Sequence, residues 1–185
     1  MFIDAEVQIK KISNLDIKEK ALVKAFSCGK PEIDSYLKND ALEDLTFGIT
    51  KTFLFFMEIE NKKRLVGYFT LTTDRVLVTK TSHTHKKLDK WKNPVYKRSI
   101  PGIQIHHFAI QKDFQNQKFG INLMYYVFSF IKLTILPYVG SCLITVQSEK
   151  DVQNFYRKIG FEKTGDTRDC NVSMAYTTNQ LFIPD

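Results

Sequence analysis

The segment IQKDFQNQKFGINLMYYVFSFIKL, from Ile110 to Leu133, changes character halfway along. Its first half is a loop dense in Gln, Lys and Asn that ends in a single Gly120. Its second half has helical spacing: Ile121, Met124, Phe128 and Ile131 fall near one face, with Leu123 and Val127 beside it. The preceding residues, about Ile103 to Ile110, read as a strand. A strand, a polar loop and an amphipathic helix in that order require a sheet with a helix laid upon it. The helix start presents N–H groups that lack intrahelical partners, together with the positive end of the dipole, and so suits an anion. Gln115 to Gly120 carries no acidic side chain, and Gly120 permits close backbone approach. The same pattern also describes an ordinary connection.

The other segments extend this architecture. EVQIKKIS reads as a first strand, and KPEIDSYLKNDALEDL as a helix with Pro31 in its first turn. TKTFLFFMEIE and LVGYFTLTTDRVLV are strands joined by the polar turn NKKR. SCLITVQ is a strand, KDVQNFYRKI a short helix, and GFEKTG leads into a further strand before VSMAYTT closes the sheet. The expected class is α/β (α+β): a mixed, mostly antiparallel sheet flanked by helices. The 185 residues, 43% hydrophobic, suit one domain spanning 1–185 and are few for two. The N-terminus shows no signal-like apolar core, and the run from Leu123 to Leu136 is broken by Lys132 and too short to span a bilayer. A soluble cytoplasmic protein is expected.

Cys28, Cys142 and Cys170 are too widely spaced for a disulfide framework, and with His83, His85, His106 and His107 they do not form metal-ligand pairs. No metal site is expected. The net charge of +7 favours a polyanionic partner. It is concentrated in KTSHTHKKLDKWKNPVYKR, where Lys86, Lys87, Lys90, Trp91 and Lys92 mix cations with a stacking ring and Tyr96 follows. Such a mixture suits RNA, although a run of charge also serves as a solvated loop. His106 and His107 point to opposite sides of their strand, so one of them faces any acceptor cleft there, although a structural His is the commoner case.

Two motifs now carry a resemblance. QNQKFG, with Gln115 and Gly120, is similar to the Gln/Arg-x-x-Gly-x-Gly/Ala loop of the GNAT superfamily of N-acetyltransferases, with Lys118 where the family usually has Gly. FYRKIGF matches the family's FYxxxGF at Phe155, Tyr156, Gly160 and Phe161. A narrower resemblance covers about Phe26 to Phe161: FSCGKPEIDSYLKNDALEDL, LVGYFTLTTDRV and HHFAI are similar to segments of the GNAT toxins of bacterial toxin–antitoxin pairs. The resemblance implies acetyl-CoA as co-substrate, with its pyrophosphate among Gln115, Asn116, Gln117, Lys118, Phe119 and Gly120. It implies that the backbone of Phe108, Ala109 and Ile110 holds pantetheine, and that Tyr156 is the acid that serves the leaving thiolate. It further implies acetylation of the amino group of aminoacyl-tRNA, a cognate antitoxin and a homodimer. Two alternatives stand beside it. One is acetylation of a protein N-terminus, a lysine or a small amine. The other is a non-catalytic RNA- or protein-binding module on a decayed GNAT fold, a reading for which Lys118 is the supporting feature.

Overall fold

The computed structural model describes residues 6–76, 100–168 and 171–182. The elements are β1 (Val7–Lys11), α1 (Ile17–Ala25), α2 (Pro31–Ser35), α3 (Ala41–Phe47), β2 (Lys51–Ile59), β3 (Lys62–Val76), β4 (Ile100–Ile110), α4 (Phe119–Phe130), β5 (Leu143–Ser148), α5 (Gln153–Ile159), β6 (Glu162–Arg168) and β7 (Asn171–Thr177). Seven strands make one sheet in the order β1-β2-β3-β4-β5-β7-β6. β1 with β2, β2 with β3, β5 with β7, and β6 with β7 are antiparallel, and β4 with β5 is parallel. This is the mixed, mostly antiparallel sheet with flanking helices that the sequence pattern requires. The parallel ladder is short, from Gly102 opposite Leu143 to Gln104 opposite Thr145. No described helix is long and apolar enough to cross a membrane.

Packing divides the chain into two compact units, residues 1–72 with 107–123, and residues 73–106 with 124–185. In the first unit β2 is central and its apolar run is buried from Thr52 to Met57. A core of Leu54, Phe56, Leu65, Tyr68 and Ala109 is covered by Val23 and Phe26 and by Leu37 and Ala41. Gly67 sits where only Gly fits, because a Cβ there would lie 2.6 Å from the Ala109 carbonyl oxygen.

The helix α1 is absent from the sequence expectation. Asp16 caps it: its carboxylate accepts from the Glu19 N–H, and the Glu19 carboxylate accepts from the Asp16 N–H. Glu19 is 1% exposed and is pinned by Lys10 at 2.7 Å and Lys63 at 2.5 Å. Burial raises its pKa, but the hydrogen bonds from Lys10, Lys63 and the Asp16 backbone more than offset this and hold it at about 2. The helix expected over 31–45 is present but interrupted: a wide π-type turn, Tyr36–Asp40, separates α2 from α3.

In the second unit the α4 side chains Met124, Val127 and Phe128 are buried, as is Ile131 beyond its end. Phe128 packs on Tyr176 at 4.6 Å and on Phe161 at 5.8 Å between ring centroids. Leu143 and Ala175 form a smaller cluster with Val76 and Ile100.

Candidate active site

The loop between β4 and α4 is built from the first unit's own residues. Gln111 N–H donates to the Val66 carbonyl, and Lys112 N–H donates to the Ser27 carbonyl. The Ser27 N–H in turn donates to Gln111 Oε1 at 2.8 Å. Gln115 Nε2 donates to the carbonyls of Cys28 and Ile110 at 2.8 and 2.9 Å, while its backbone N–H donates to Lys112. The side chain of Gln115 thus ties the loop to the strand behind it and to the Ser27–Cys28 turn. Gln117 donates from Nε2 to the Asp113 carbonyl at 3.0 Å. The turn is itself braced by Asp34, which accepts from the Ser27 hydroxyl and the Cys28 N–H, both at 2.7 Å. This brace lies 84 residues from the loop it supports, so no local pattern in the sequence announces it.

Asn116 and Lys118 both adopt left-handed backbone, with φ of 60° and 63°. Asn visits that region readily; for Lys it costs about 1–2 kcal/mol. Lys118 therefore keeps the conformation a Gly would take, and its side chain is exposed. Phe119 and Gly120 open α4, and the Asn122 N–H donates to the Lys118 carbonyl. The first-turn amides thus lie beside a stretch, Gln115 to Gly120, that carries no carboxylate. The preceding Asp113 is exposed and meets Arg64 at 3.6 Å. Behind the loop, Ala109 is buried while Phe108 and Ile110 are half-buried.

On β4, His106 is exposed and His107 half-buried. The His107 ring stacks on Tyr36 with centroids 3.9 Å apart and faces Tyr68 at 6.3 Å. Tyr36 hydrogen-bonds Asp44 and Thr50. Burial, then the nearby Asp34 carboxylate, pushes the Cys28 thiol up to about 11, which makes it a poor nucleophile.

In the second unit α5 ends at Gly160, whose φ of 107° is left-handed and whose N–H donates to Arg157. Phe161 follows, 2% exposed, and anchors the turn against Tyr176 and Phe128. Tyr156 is half-buried between Phe155 at 5.1 Å and Phe161 at 5.5 Å, both edge-on. Burial, with the Glu149 charge adding to it, raises the Tyr156 phenol above its ordinary pKa, so it stays protonated at neutral pH. The loop residues fall in the first unit and Tyr156 in the second. The basic candidates Lys86, Lys87, Lys90, Trp91 and Lys92 lie outside the described residues, as do Cys170, His83 and His85. Among the described residues no group of His, Cys, Asp or Glu is arranged to hold a metal.

Residues 95–174 match the family model described as Acetyltransferase (GNAT) domain. No curated protein matches the chain. Among solved structures, AtaT complexed with acetyl-methionyl-tRNA superposes with a TM-score of 0.72 at 16% identity, covering 96% of this chain and 98% of that one. A KacT mutant gives 0.71 at 19% identity, over 96% and 98%. An AtaT mutant toxin bound to the C-terminus of the antitoxin AtaR and acetyl-CoA gives 0.68 at 15%, over 95% of each chain. At these identities the likeness speaks to the fold. Residues 95–174 are thus similar to a GNAT acetyltransferase domain, and the chain has the fold of these solved structures.

Proposed function

We propose that this protein is an acetyl-CoA-dependent N-acetyltransferase acting as a toxin on the amino group of aminoacyl-tRNA, with residues 1–185 forming one GNAT-like domain in the cytoplasm. The observation that carries the reading is the acid-free loop at the start of α4, held in its left-handed path even where Lys118 replaces the usual Gly. Acetyl-CoA supplies an acetyl thioester. Its diphosphate is assigned to the first-turn amides of α4, where N–H groups and the helix dipole favour negative charge. Lys118, exposed beside them, adds a cation. Gln115 and Gln117 act by fixing the loop, and Ser27, Asp34 and Gln111 by bracing it. Tyr156, protonated at neutral pH, would give its proton to the departing sulfur once a neutral amine has attacked the carbonyl.

The finer substrate is supported by the basic surplus, by the interleaved stretch from Lys80 to Arg98, and by the tRNA complex of AtaT. A cognate antitoxin is supported by the AtaT–AtaR complex; a homodimer rests on resemblance alone. The positive φ of Lys118 favours one other reading, a decayed binding module. Against it, the lysine preserves the loop's backbone path at a cost of about 1–2 kcal/mol, which a folded domain absorbs. Calorimetric titration with acetyl-CoA separates the two. Wild-type protein is expected to bind, and Gly120→Asp, which puts a carboxylate beside the phosphates, to bind markedly more weakly. No wild-type binding would leave the decayed module standing.

A further inference from the structure

The first unit contains a cavity of about 470 Å³ that the transferase reading does not use. Its floor is apolar, made by Leu22 and Ala25 of α1 with Phe26 and Leu65. Its rim is cationic, made by the start of β3, and no carboxylate lines it. The volume is in the range of ligand pockets, roughly 300–1,000 Å³.

The rim donors differ in how far they are committed. Lys63 is occupied by the buried Glu19. Lys62 has no carboxylate partner among the described residues, and Arg64 meets only exposed Asp113 at 3.6 Å, a surface pair of little strength. Gln111, which also lines the cavity, uses Oε1 to accept from the Ser27 N–H. The adjoining helix α1 adds exposed Lys18, Lys20 and Lys24, while its single acid is the internal Glu19. The potential over the cavity is therefore positive, and the floor calls for hydrocarbon.

We propose that this cavity docks an acidic peptide segment carrying one large apolar anchor. The anchor packs on Leu22 and Ala25, above the buried Phe26 and Leu65, and flanking carboxylates pair with Lys62 and Arg64, displacing only the weak contact to Asp113. A nucleic-acid strand is the poorer match. Its bases need exposed rings to stack on, and the one ring in the lining, Phe26, is 1% exposed. The inference does not depend on the transferase reading.

The test is fluorescence anisotropy of the full chain with short labelled peptides of Glu and Asp around a central Leu. Controls carry Ala at the centre, or Gln and Asn in place of the acids, and single-stranded polyuridylate is run in parallel. The Leu peptide is expected to bind, and each peptide control to bind at least roughly tenfold more weakly. Lys62→Glu with Arg64→Glu should abolish binding. Ala25→Phe, which fills the cavity from an exposed helix position, should weaken it with the circular dichroism and thermal midpoint unchanged. Equal affinity for the Leu and Ala peptides, or peptide binding indifferent to both variants, would overturn the proposal. So would polyuridylate binding that is lost on charge reversal while no peptide binds, which would give the face to nucleic acid.

Discussion

At the scale of single residues, two buried or half-buried groups carry opposite messages. Tyr156 is protonated at neutral pH like any phenol, and burial, then the Glu149 charge, raises its pKa further, so it can serve a departing thiolate as a donor but not as a base. Tyr156→Phe is expected to keep the fold and acetyl-CoA affinity while turnover falls by about 10²–10⁴-fold, the usual contribution of a positioned acid. In the wild-type pH–rate profile the alkaline fall should lie above the ordinary phenol range. Unchanged turnover in the variant would make Tyr156 a packing residue. Glu19 is a stability group. Its carboxyl is held at about 2 in the folded protein, against 4.5 for the free group, so the unfolded chain takes up its proton first as pH falls. The stabilisation is fully present above about pH 4.5 and is lost on the way down to about pH 2, a total near 3 kcal/mol. Urea titrations across that window should show this slope in the wild type. They should show it reduced in Glu19→Gln, which leaves Lys10 and Lys63 without their anion at neutral pH.

At the scale of elements, glycines mark where strands and helices meet tightly. Gly160 ends α5 with φ of 107°, and a Cβ there would lie 3.2 Å from the Tyr176 ring. Gly160→Ala should cost about 1–3 kcal/mol by denaturant titration. A similar loss is expected for Gly67→Ala, whose Cβ would push the Ala109 carbonyl and with it the end of β4. Because that strand end carries the loop, Gly67→Ala should also weaken acetyl-CoA binding in the same calorimetric assay; an unaltered affinity would mean that the loop is positioned independently of β4. These two positions also show what a sequence discloses. Gly160 sits inside FYRKIGF, so its turn was readable from a local pattern. The need for Gly at position 67 arises from a strand more than forty residues away, which no window contains.

For the molecule as a whole, the order of strands and helices was legible from the alternation of β1, the continuous Phe-rich apolar run of β2 and the three-to-four spacing of α4. The helix α1 was not, because it buries only Glu19 and Val23 and leaves Ile17 exposed. Its one legible mark was the Asp16-x-x-Glu19 cap. The absence of acids at 115–120 is legible in the sequence, but the brace from Ser27 and Asp34 that shapes the loop is not, since it is a tertiary contact. The turn at Cys28–Gly29 also holds the loop, through the Cys28 carbonyl. The basic stretch from Lys80 to Arg98 stands on charge and composition, and the choice of acceptor depends on it most. The direct measurement is transfer of labelled acetyl from acetyl-CoA to a panel of aminoacyl-tRNAs, with uncharged tRNA, free amino acids and peptides alongside, for wild-type protein and Tyr156→Phe. The account predicts label on the amino group of one or more aminoacyl-tRNAs, none on uncharged tRNA, and a large loss of rate in the variant. Label appearing only on peptides or small amines would contradict the aminoacyl-tRNA assignment, and no transfer to any acceptor would contradict the enzyme.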